Sequence, residues 1–201
     1  VKAKIFSLLM NIFVTNTTNS DFYLKPDSSL VKESFDFYRP DDAQIIQLSV
    51  CVAFKSIRSA KFINKKFANR VYETFTPSII IYPKFSGAKE TNRSIFKELA
   101  FDKTFVTSNE SFKKEDLEQQ NILEVLVDGV VQSQIEINKH FLEGLTSTVD
   151  QSIENISKYC SIKTGDYIAI ELNIDKLEIS NNSQIELRVS QKDFYLSFNI
   201  L

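Results

Sequence analysis

Cysteine and histidine are the residue types that most often supply a nucleophile and its base. This chain of 201 residues has two cysteines, Cys51 and Cys160, and one histidine, His140. A thiol becomes nucleophilic when a neighbouring base or cation favours the thiolate. Cys51 instead stands within QIIQLSVCVAF, residues 44–54, an apolar run in which a buried, inert thiol is expected. His140 lies far along the chain in a polar stretch and reads as a surface residue. One histidine and two cysteines exclude a histidine-based metal cluster, a cysteine-based zinc site and a disulfide scaffold. Glycine occurs only four times, at Gly87, Gly129, Gly144 and Gly165, never as G-x-G. Phosphate loops and dinucleotide fingerprints, which need glycine where backbone meets phosphate, are therefore excluded.

The formal net charge is −2, which argues against general nucleic-acid binding. Charge is nevertheless unevenly spread. Between Val52 and Val71 stand six lysines or arginines and no acid. Ala60, Ile63, Phe67 and Val71 recur there at helical spacing, which predicts a helix over 58–72 with the cations on another face. That face reads either as an anionic partner site or, more plainly, as solvated surface. No apolar run approaches the length of a membrane-spanning helix, and no signal-peptide pattern opens the chain. The expectation is a cytoplasmic protein with neither nucleic acid nor membrane as partner.

The remaining pattern describes elements that could position a site. Residues 3–9 and 44–54 read as strands, as does SIIIY at 78–82, stopped by Pro83. Lys25 before Pro26 is expected to be extended. A loop with a short helix is expected over 84–98. Asp128-Gly129 between two β-rich runs predicts a hairpin over 121–137. Val149, Ile153, Ile156 and Tyr159 mark a helix, YIAIEL at 167–172 a strand, and alternation at 185–189 and 194–200 two half-buried strands. The sum is one α+β domain.

Five segments, in chain order, resemble the fumarylacetoacetate hydrolase family, especially its short single-domain members. They are FYLKPDSSL at 22–30, KKFANRVYE at 65–73, LAFDKTF at 99–105, LEVLVDGVVQ at 123–132 and ISKYCSIKTGDYIAI at 156–170. Those short members include acylpyruvases, 2-keto-4-pentenoate hydratases and hydroxyheptadienedioate isomerases. The resemblance implies a single domain over 1–201 of β-rich α+β class. Its twisted mixed sheets would form a β-sandwich roll with two or three helices. It further implies a homodimer, or a heterodimer with an active relative, and a Mg²⁺- or Mn²⁺-dependent site for β-keto acid chemistry. In the family a Glu-x-Glu pair and a later Asp hold the ion, which clamps substrate oxygens and stabilises an enolate.

The matched positions depart from that pattern. The Glu-x-Glu pair falls on Ser49 and Cys51, and the later Asp on Ile80. Its following Arg falls on Lys84 and its second Asp on Phe85; the family lysine before Phe-Asp falls on Leu99, although Phe101 and Asp102 remain. A Thr-Gly-Thr-Pro segment becomes Ile170, Glu171, Leu172 and Asn173. A shift of register does not restore the pair, because no acid occurs between Asp42 and Glu73. The expectation is a degenerate site that uses no metal, on a protein that binds a small carboxylate or a partner. Lys25, Glu73, Lys84, Leu99 and Asp102 are its candidate residual pocket. The alternative is a divergent hydrolase, isomerase or hydratase of 2-keto acids, rebuilt around Glu73, Asp102 and Lys84. A third reading, a structural dimer, would fill the cleft with Leu48, Ile80 and Leu99.

Overall fold

The computed structural model describes residues 10–17, 21–32, 34–85, 92–117, 120–172, 175–190, 192 and 194–201. The strand expected over 3–9 lies outside them. The strands are Ile12–Asn16 (β1), Phe22–Lys25 (β2), Leu30–Val31 (β3), Asp36–Phe37 (β4), Ala43–Ser56 (β5), Tyr72–Phe85 (β6), Phe105–Val106 (β7), Asn121–Val127 (β8), Val130–Ile137 (β9), Tyr167–Glu171 (β10), Leu177–Ile179 (β11), Ser183–Val189 (β12) and Phe194–Ile200 (β13). Two α-helices join them among the described residues, Asn92–Leu99 (α1) and Lys139–Tyr159 (α2). One mixed sheet has the order β2-β1-β10-β5-β6-β7-β3, with β11 also paired to β5; the other has the order β4-β13-β12-β8-β9. The pairs β1–β10, β3–β7 and β4–β13 are parallel.

β5 positions everything that matters for the site, because both its faces are covered. Ile46, Leu48, Val50, Val52 and Phe54 point into the main core, together with β8, β12, β13 and the apolar stripe of α2. Cys51 and Ala53 point the other way, into a second, smaller cluster. Such two-sided burial explains why the 44–54 run is nearly continuous in apolar residues. α2 starts earlier than the sequence pattern indicates. Asn138 caps it by accepting from the Phe141 backbone N–H at 2.9 Å, an interaction worth about 1 kcal/mol. No helix among the described residues is long and apolar enough to cross a membrane.

Two expectations are corrected. Residues 58–72 form no α-helix. Ala60 instead bridges to Ile162, Phe62 takes a left-handed backbone (φ 51°), and only a 3-10 turn at Lys65–Arg70 remains, capped by Asn64. Nor does Pro83 stop its strand: β6 carries both Pro77 and Pro83. The Ile81 N–H donates to the Thr104 carbonyl at 2.9 Å, on the β7 side. Pro77 and Pro83 share that parity, so their missing N–H groups fall beyond the two residues of β7, where no ladder partner calls for them.

Candidate functional site

The second cluster is the face on which the matched positions meet. Ser49 on β5 is the registered partner of Ile80 on β6, and Cys51, two residues on, shares their face. All three side chains are buried. β10 flanks them, with Glu171 registered against Cys51 and Ala169 against Ala53. Beyond β10, β1 supplies Ile12 and Val14, which pair with Lys25 and Tyr23 of β2. Cys51, Ile80, Tyr82, Phe105 and Tyr167 pack together, with Met10, Tyr23 and Leu99 against them. Ile80 and Leu99 thus fill this face, whereas Leu48 points to the main core instead.

A polar rim sits above this apolar floor. Tyr82 donates its hydroxyl hydrogen to Glu171 Oε1 at 2.8 Å, which leaves the Tyr23 hydroxyl to donate to Tyr82. Burial raises both phenol pKa values, and the Glu171 charge adds to the rise. Three ammonium groups surround the Tyr82 ring: Lys176 at 3.8 Å from its centroid, Lys84 at 5.6 Å and Lys25 at 5.8 Å. Lys84 pairs with Glu98 of α1 at 2.6 Å. Lys25 is almost fully buried and donates to the Leu99 carbonyl at 2.9 Å and to Thr104 Oγ1 at 2.8 Å. Burial lowers its pKa to about 8, against the opposing pull of Glu171. Burial likewise pushes the Cys51 thiol up, and Glu171 reinforces the effect, so the thiol stays neutral.

Lys25, Lys84 and Leu99 therefore belong to this group, but Glu73 and Asp102 do not. Glu73 pairs with Lys113 at 3.1 Å on the surface, at the start of β6. Eleven residue steps along β6 separate it from Lys84, roughly 36 Å of extended chain. Asp102 is exposed in a turn, Phe85 packs against Phe101, and His140 is exposed at the start of α2. Sequence reasoning missed Tyr23, Tyr82, Glu98 and Lys176, and took Glu171 only as a departure from a motif. Two signals were available. Tyr82 alternates with Ile80 and Lys84 along β6, and Glu171 is an acid at the end of an otherwise apolar strand.

The donor set fits a small hard dication poorly. Mg²⁺ and Mn²⁺ call for several oxygen ligands. This face offers a hydroxyl, a neutral thiol, a carboxylate bonded to tyrosine and another paired with lysine. No group of three or more His, Cys, Asp or Glu residues suited to a metal occurs among the described residues.

No protein-family model matches the sequence, and no curated protein matches it. Solved structures do match in fold. A 2-hydroxyhepta-2,4-diene-1,7-dioate isomerase from Mycobacterium marinum superposes with a TM-score of 0.73 and 16% identity, over 96% of this chain and 74% of that one. A protein from Yersinia pestis CO92 assigned to the fumarylacetoacetate hydrolase family gives 0.74 and 12%, over 96% and 93%. A fumarylpyruvate hydrolase from Pseudomonas aeruginosa, solved with Mn²⁺ and pyruvate, gives 0.73 and 10%, over 96% and 89%. With its two mixed sheets packed through the main core and the smaller cluster on the far face of β5 and β6, the chain has the fold of the fumarylacetoacetate hydrolase family.

Proposed function

We propose that this chain is a pseudoenzyme of the fumarylacetoacetate hydrolase family. It works without a divalent metal and binds a small carboxylate at the Tyr82 cluster. The observation that carries the reading is the shared face of Ser49, Cys51 and Ile80, where a hydroxyl, a neutral thiol and a hydrocarbon stand at the positions matched to the family's ligands. Positive charge comes from ammonium groups instead. Lys25, Lys84 and Lys176 surround Tyr82, against the two carboxylates Glu171 and Glu98, so the cluster holds three ammonium groups to two carboxylates. A carboxylate ligand balances that excess through charge-assisted hydrogen bonds at the half-buried rim. The same proposal carries a cytoplasmic protein that associates as a homodimer or with an active relative.

Titration calorimetry with pyruvate and oxaloacetate in metal-free buffer tests the reading. Binding that Lys176→Met weakens supports it. Turnover of an acylpyruvate by protein free of host enzymes overturns it.

A further inference from the structure

The basic segment between β5 and β6 plays no part in the Tyr82 cluster, yet it is not plain solvated surface. Its chain path displays apolar side chains. Phe62 is 73% exposed and Ile57 43%, and Tyr159, at the end of α2, is 73% exposed. Phe62 and Tyr159 lie on neighbouring stretches of chain, and Ile57 stands at the start of the same segment. The Phe62 N–H donates to the Ser157 carbonyl at 3.0 Å, and Lys61 Nζ donates to the Tyr159 carbonyl at 3.0 Å. Phe62 holds a left-handed backbone, φ 51°, which costs an L residue free energy, and its ring is largely exposed beside the Lys61 ammonium. Lys55 at the end of β5, Lys158 and Lys163 join the five cations of the segment, so that eight of the chain's 24 cations lie in it or in the stretches next to it. Three acids stand beside them, each engaged: Glu154 accepts the Lys65 backbone N–H at 3.1 Å, Asp150 the Tyr72 hydroxyl at 3.0 Å and Asp166 the Lys163 backbone N–H at 2.7 Å. The ion pairs of the described residues, Lys84–Glu98, Lys97–Asp42, Lys113–Glu73 and Arg188–Glu186, all lie elsewhere. The net charge of −2 is thus an average over a cationic face and a more acidic remainder.

We propose that this face docks on an anionic lipid surface, with Phe62, Ile57 and Tyr159 entering the interface and the lysines meeting phosphate headgroups. Charge excludes a second copy that presents the same face. Six of the eight cations are lysines, a type depleted from protein–protein interfaces. Single-stranded nucleic acid needs open ring faces. Here Lys61 covers the Phe62 ring at 4.7 Å, while Lys66 and Arg70 cover Phe67 at 4.9 and 4.7 Å. Aliphatic Ile57 offers a base nothing to stack on. At a bilayer the same arrangement works, because ring edges insert while long basic side chains reach back to the headgroups.

Vesicle co-sedimentation of the full chain tests the proposal, with phosphatidylcholine alone and with added phosphatidylserine. Binding is expected only to the phosphatidylserine vesicles and is expected to fall as salt rises. The pair Lys61→Glu and Lys66→Glu is expected to cut binding about tenfold or more. Phe62→Asn keeps a residue that tolerates the left-handed backbone, so it retains the fold but loses vesicle binding. Three results would each overturn the proposal: no binding to phosphatidylserine vesicles, binding that both variants leave intact, or tight binding of a single-stranded oligonucleotide without vesicle binding.

Discussion

Cys51 and Glu171 are registered neighbours on β5 and β10. The carboxylate on this face thus stands beside the position matched to a family glutamate and not in its place, and its Oε1 is taken by the Tyr82 hydroxyl. The polar groups of this face are tyrosines and lysines gathered around Glu171 and Glu98.

The first consequence concerns the thiol. Burial and the adjacent Glu171 hold Cys51 neutral, whereas Cys160 is only partly buried. An aromatic disulfide reagent is expected to label Cys160 in the native protein and Cys51 only on unfolding. Rapid native labelling of Cys51, mapped by peptide mass, would contradict this.

Lys25 gives stability a pH dependence. Its folded pKa is about 8 and the ordinary value 10.5, so between these values the unfolded chain holds more protons. The contribution of Lys25 to stability is therefore lowest below pH 8 and grows as pH rises towards 10.5. Tyr23, Tyr82 and Cys51 titrate in the opposite sense at high pH, so the test is a difference between two proteins. Wild-type unfolding free energy minus that of Lys25→Met is expected to grow by on the order of 3 kcal/mol across that window. A flat difference would count against the buried ammonium.

Tyr82 links Tyr23 to Glu171. Tyr82→Phe keeps the ring under the three lysines but removes both hydrogen bonds. A stability loss of about 1–3 kcal/mol is expected in denaturant unfolding. No loss would mean that the hydroxyl chain contributes nothing.

The β8–β9 hairpin turns on Asp128 and Gly129, both left-handed with φ 51° and 76°. Gly129→Ala meets no atom within 4 Å yet is strained by that backbone. A loss of about 1 kcal/mol is expected, measured as a lower urea midpoint.

How much of this was legible in the sequence follows from what each signal encodes. The Asp128-Gly129 turn and the β5 run were readable because turn chemistry and apolar continuity are local. The shared face of Ser49, Cys51 and Ile80 was readable through a resemblance that carried register information. The helix expected over 58–72 failed because Ala60, Phe67 and Val71 meet three different surroundings, which spacing alone cannot distinguish. β6 ran past its prolines because the outward side of the strand had no ladder to lose. The Tyr82 cluster was not legible, since it joins β2, β6, β10, α1 and Lys176 across long sequence separations. Glu73 and Asp102 were proposed as acids left near the family motifs, but the fold turns both to the surface.

The central claim is that Ser49, Cys51 and Ile80 leave no place for a divalent ion, and titration calorimetry of the apo protein with Mg²⁺ and Mn²⁺ tests it most directly. Heats indistinguishable from dilution are predicted for both metals at pH 7. Micromolar binding at a single site, abolished by Glu171→Gln, would contradict the account.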